Sequence, residues 1–206
     1  MRLLPEPLAR ECHSEYPAYH HEGERSQTRI RYIVLHSAET EDTPGSAKGV
    51  AEYFMSPASG GSSNLVIDDW QCYRCLTDTI VPWGAPPLNQ AGFHIEQAGR
   101  AAWTRNRWLL HRLEIRRAAY KAALRMHWYR IPARILNVDE LIKDFYLPAD
   151  VGVGRNPGPL QGGIVTHATI SKAYAESNHT DPGPGYPLDV FLSLTKGFLK
   201  QLEVKL

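Results

Sequence analysis

Two apolar segments of this 206-residue chain each end on a histidine, and that arrangement limits the folds open to it. Residues 29–36 place Ile30, Tyr32, Ile33, Val34 and Leu35 ahead of His36, a β-branched and aromatic run suited to a largely buried strand. Residues 164–167, Ile164-Val165-Thr166-His167, repeat the pattern in shorter form. Between them the sequence predicts a helix over 47–55, then two short strands over 65–67 and 72–76 with Asp68-Asp69 as their turn. A further strand over 92–96 follows the Pro86-Pro87 loop. Helices are predicted over 106–130, 138–146 and from residue 188 onward. This mixture defines an α/β domain: a central mixed β-sheet flanked by helices, with a cleft at the strand ends.

In the segment 106–130, Leu109, Leu113, Tyr120, Leu124 and Trp128 recur at steps of four or seven and mark the apolar face of one long helix. Arg112, Arg116, Arg117, Lys121 and Arg125 fall elsewhere on it and read as a solvated basic face. The last helix places Phe191, Leu194, Phe198 and Leu202 on one side. Residues 1–28 are polar and show neither helical nor strand periodicity; they are expected to form an arm packed on a domain spanning 29–206.

Charge and composition exclude several classes. Lys plus Arg number 23 and Asp plus Glu 22, so the net charge of +1 provides no field that would gather nucleic acid, and none is expected as a partner. No run approaches the roughly 18 apolar residues that span a bilayer, so membrane insertion is not expected. Pro5 and Glu6 interrupt the amino terminus before a signal-peptide core could form. Three cysteines, Cys12, Cys72 and Cys75, do not make an even-numbered disulfide framework and fit synthesis in a reducing compartment. Cys72 and Cys75 lie three apart on a predicted strand, should face opposite sides, and are expected to serve ordinary packing.

A catalytic zinc site takes three protein ligands and keeps a position for water. His36 and His167 at strand ends offer two imidazoles. Asp181, inside Asn178-His179-Thr180-Asp181-Pro182-Gly183-Pro184-Gly185-Tyr186-Pro187, offers a carboxylate on a backbone restricted by prolines. His94 and Glu96 share a strand face, and His94 is read as a support of the cleft. His94-Ile95-Glu96 imitates the His-x-Glu of zinc deaminases, but the later Pro-Cys-x-x-Cys which that chemistry needs is missing.

The ordered segments Tyr-Ile-Val-Leu-His36-Ser, Ser-Ser-Asn-Leu-Val-Ile-Asp68, Val81-Pro-Trp-Gly-Ala, His94-Ile-Glu96, Val-Thr-His167 and His179-Thr-Asp181-Pro-Gly-Pro resemble the successive motifs of type-2 N-acetylmuramoyl-L-alanine amidases. That family includes phage endolysins and is similar in fold to peptidoglycan recognition proteins. The pattern most resembles amidase domains of phages that infect mycobacteria. The resemblance implies Zn2+ held by His36, His167 and Asp181, with Glu96 and His179 as catalytic residues. It also implies peptidoglycan as the partner, through its muropeptide stem, and a monomer made in a host cytoplasm that acts on the wall after release.

Three positions depart from the family pattern. Asn64 stands where many relatives have histidine, Ser63 where some phage members have tyrosine, and Gly84 replaces the histidine of a Trp-His-Ala motif. The rival readings are a recognition module that binds peptidoglycan without cutting it and a zinc peptidase that cuts within the stem peptide.

Overall fold

The computed structural model describes residues 12–26, 30–145 and 162–203. Five strands form the central sheet in the order β4-β3-β6-β2-β7: β2 (Tyr32–Ser37), β3 (Leu65–Ile67), β4 (Cys72–Arg74), β6 (Gly92–Gln97) and β7 (Gly163–Thr166). Strand β2 runs parallel to β6 and to β7, β3 runs parallel to β6, and only the β3–β4 hairpin is antiparallel. Every residue of β2 is buried, as its unbroken apolar run requires of a strand covered on both faces.

Side-chain alternation then sorts the sheet into two faces. Ile33, Leu35, Phe93 and Ile95 point into one core with Ile115, Ala118, Ala122 and Phe191 of helices α3 (Arg112–Tyr129) and α6 (Leu188–Glu203). Tyr32 and Val34 point the other way, where Leu141 of α4 (Val138–Phe145) and Ile170 of α5 (His167–Tyr174) cover them. Helix α1 (Ser46–Phe54) packs Ala47, Ala51 and Phe54 around Val66. Because His36, His94 and Glu96 occupy even positions of β2 and β6, they share a face with Val34 and stand clear of the α3–α6 core.

The residues after Leu110 correct the single long helix. Helix α2 (Arg105–Leu110) is capped by the Thr104 side chain, which accepts from the Arg107 N–H, and a break at His111 separates it from α3. Leu113 and Trp128, assigned to the apolar face, are exposed, whereas Arg117, Lys121 and Arg125 are buried. The apolar part of its buried face is Ile115, Met126, Ala118, Ala119, Ala122 and Ala123, and the alanines are small enough to admit α6 closely. Arg125 enters this interior because its guanidinium lies over the Phe93 ring at 4.5 Å and pairs with Asp78 at 3.2 Å.

Residues 12–26 contain β1 (His21–Glu24), which pairs antiparallel with β5 (Ile80–Pro82), a strand absent from the sequence expectation. The Arg25 guanidinium donates to the carbonyls of Asn89, Gln90 and Gly92, fixing the entry to β6. Cys12 and Cys72 form a disulfide, which corrects the reading of Cys72 as a packing residue. Cys75 remains a buried free thiol, and burial pushes its pKa up to about 12.

Candidate metal centre and cleft

Three parallel strands bring the predicted ligands to one end of the sheet. In the β2–β6 register His36 lies opposite Glu96 and Val34 opposite His94, and Leu35 lies opposite Thr166 of β7. His167 follows as the first residue of α5 rather than the last of a strand, and the Thr166 side chain caps that helix by accepting from the Thr169 N–H. The Asp181 segment is attached to the same helix start by the Ala168 N–H, which donates to the Asp181 carbonyl. Gly183 completes the loop at φ 87°, where a Cβ would meet the Ala101 carbonyl oxygen at 1.8 Å, so only glycine fits.

His36 Nδ1 lies 3.1 Å from His167 Nδ1 and 3.1 Å from Asp181 Oδ2, and His167 Nδ1 lies 3.2 Å from Asp181 Oδ1. All three residues are buried and form a group able to hold a metal ion. Zinc bonds of about 2.0–2.2 Å in tetrahedral geometry place ligand atoms roughly 3.3–3.6 Å apart, so the set fits zinc after a slight opening. Burial would raise the Asp181 carboxyl, but hydrogen bonds from His167 and His36 outweigh it and hold the pKa well below the usual carboxylate range. Burial lowers His167, which favours the neutral ring that a metal requires.

Glu96 and His179 flank this group. Glu96 Oε1 is 4.0 Å from His36 Nδ1, and Oε2 is buried with no hydrogen-bond partner. Burial, then the charges of Asp181 and Glu39, raise its pKa well above that of an ordinary carboxyl. His179 stacks on His167 with ring centroids 4.1 Å apart, and its Nδ1 is 3.4 Å from Asp181 Oδ1. Its side chain is 57% exposed, and burial of the remainder followed by the His167 charge lowers its pKa.

His94 is fully buried behind the site, with Nδ1 at 3.0 Å from His36 Nε2 and Nε2 unpartnered. The departures from the family pattern are explained around it. A Cβ on Gly84 would come within 2.4 Å of His94 Nδ1, so the His94 ring occupies the space that a side chain at 84 would need. Asn64 accepts from the His94 N–H and donates to the Thr77 carbonyl, while Ser63 donates to the His94 and Leu65 carbonyls. Both are buried braces of β6, pointing away from the opening.

The cleft above these groups has a volume of about 590 Å³. Its lining includes Tyr53 and Phe54 of α1 and Trp83, stacked on His20 at 4.8 Å, none of which the sequence assigned to a cleft wall. Tyr53 and Trp83 are each about half exposed, which is where a saccharide or peptide can lie against an aromatic ring. Their signal lay in aromatic residues beside Gly-rich connections, a pattern too common to single them out.

A mixed sheet thus carries at one end a His-His-Asp group that could hold a metal ion. The sequence profile of N-acetylmuramoyl-L-alanine amidase matches residues 26–184, and the chain belongs to that family of enzymes. Solved structures share the fold. The hydrolase AmiA of Staphylococcus aureus, solved in complex with its ligand, superposes with a TM-score of 0.67 at 16% identity, over 95% of this chain and 86% of that one. A mutant endolysin from Bacillus subtilis gives 0.56 at 16% identity over 91% and 98%, and an AmpD derivative 0.59 at 15% over 94% and 99%. No curated protein matches the chain. Among the described residues no helix is long and apolar enough to cross a membrane.

Proposed function

We propose that the chain hydrolyses the amide between the lactyl group of N-acetylmuramic acid and L-alanine of the stem peptide, with zinc held by His36, His167 and Asp181. The observation that carries this reading is the convergence of those three ligand atoms beside the buried carboxyl of Glu96, in a chain of the amidase family. When bound, zinc would supply Lewis acidity to the attacking water and the scissile carbonyl.

The protein's own groups do the rest. Glu96, kept basic by its buried and negatively charged surroundings, accepts the proton of the attacking water and delivers it to the departing alanine nitrogen. His179 directs a ring N–H at the oxygen that gains charge, its orientation fixed by stacking on His167. With a metal bound, His36 Nδ1 would be unprotonated and its Nε2–H would donate to His94 Nδ1, 3.0 Å away, so that His94 supports the metal-binding tautomer. Tyr53 and Trp83 flank the muropeptide. Residues 29–206 act as the catalytic domain and 1–28 as its arm, in a monomeric endolysin of a phage most like those that infect mycobacteria. It is made in the host cytoplasm and reaches the wall at release.

Digestion of purified peptidoglycan, with mass analysis of the products, tests the reaction. Intact stem peptides with a new alanine amino terminus are expected, abolished by a chelator and restored by zinc. Fragments cut within the stem would assign a peptidase instead, and binding without release would assign a recognition module.

A further inference from the structure

A second group of convergent ligand atoms lies at the junction of three other elements. Asp42 belongs to the loop after β2, Asp69 to the β3–β4 turn, and His111 to the break between α2 and α3. One nitrogen or oxygen from each falls within 4.8 Å of the other two. Asp42 Oδ2 is 2.9 Å and Asp69 Oδ2 3.5 Å from His111 Nδ1.

The scaffold orients these atoms by engaging the others. Asp42 Oδ1 accepts from the Asp69 N–H and Asp69 Oδ1 from the Glu114 N–H, which leaves the Oδ2 atom of each carboxylate turned toward the shared space. The Asp42 side chain is entirely buried, yet its Oδ2 has no hydrogen-bond partner: the 2.9 Å approach of His111 lacks hydrogen-bond geometry. Burial, with no partner at Oδ2, pushes the Asp42 pKa up to about 7, and a cation at Oδ2 would offset the cost of its charged form. His111 is ordered by stacking on Trp103 at 5.0 Å and is only 12% exposed.

The surrounding charge favours the same occupant. Asp68 adds a further carboxylate, burial holds the Glu114 carboxyl toward its neutral form, and Arg117 of α3, which donates to the Asp68 carbonyl oxygen, faces the same acidic groups. Asp68 is not a ligand, because its side-chain oxygens accept from the Ala47, Trp70 and Gln71 N–H groups.

We infer that Asp42, Asp69 and His111 form a second, structural site for a divalent cation, with zinc the best match to two carboxylates and one imidazole. The site clamps the loop after β2, which carries Glu39 and Thr40 into the cleft wall, to the hairpin and to the start of α3. It is independent of the proposed amidase chemistry.

Equilibrium dialysis against zinc chloride, with metal counted by elemental analysis, tests it. Wild type is expected to bind two zinc ions per chain and to melt at higher temperature as the second is taken up. His111→Gln and Asp69→Asn are each expected to bind one, and His36→Ala to retain one. A single zinc in wild type that is retained in His111→Gln and Asp69→Asn, or two in either variant when folded, would overturn the proposal and leave an Asp-His-Asp ion pair. The wild-type count stands even where a variant fails to fold, and loss of stem-peptide release without loss of this zinc would overturn the amidase reading alone.

Discussion

His36 serves two neighbours at once, presenting Nδ1 to the His167–Asp181 group and Nε2 to His94. Removing the second contact should therefore show in the first. His94→Ala is expected to weaken zinc binding by about 10- to 100-fold, read by competition with a chelating dye, while the far-ultraviolet circular dichroism stays unchanged. Glu96→Gln separates chemistry from metal. It should keep the zinc stoichiometry and lower kcat by roughly 10²- to 10⁴-fold, the usual contribution of a positioned general base. Equal activity of this variant and wild type on peptidoglycan would remove Glu96 from the mechanism. The sequence made His36 and His167 noticeable because each closes a short apolar run, Asp181 because prolines surround it, and His94 and Glu96 through their place among the ordered motifs. Trp83 stood in a quoted motif without a role, and Tyr53 and the Asp42–Asp69–His111 group were not noticeable at all, because those residues converge only through the folding of distant connections.

Element by element, the strands were the most legible, since β2, β3 and β6 are bounded by turn residues and filled with β-branched and aromatic side chains. Helix α3 was the least. Its buried face is mostly alanine, which contributes little to an apolar periodicity, while the exposed Leu113 and Trp128 imitate a stripe. The arginines mislead for a physical reason: a long methylene stem lets Arg125 lie in the interior while its head reaches Asp78. Because that pair is nearly inaccessible, Arg125→Ala should leave the Asp78 carboxylate held mainly by the Tyr129 hydroxyl and destabilise the fold by about 2 kcal/mol in urea denaturation. A loss under about 0.5 kcal/mol would mean that Arg125 behaves as the solvated residue the sequence suggested.

At the scale of the whole molecule, the Cys12–Cys72 bridge joins the amino-terminal arm to the edge of the central sheet across 60 residues. Cross-links of that span raise stability by about 2–4 kcal/mol, so reduction is expected to lower the melting temperature by several degrees. Thiol labelling gives an independent check: none in the native protein, one after denaturation without reductant, three after denaturation and reduction. A reducing compartment would keep the bridge open and an oxidising one would close it, so the stability of the fold follows the redox state of its surroundings. The sheet has a consequence of another kind. Because neighbouring parallel strands fix the positions of His36, Glu96 and the start of α5 through backbone register alone, the segments joining those strands are free to diverge. A lineage can thus exchange the surfaces around the cleft while inheriting its bond-breaking machinery intact.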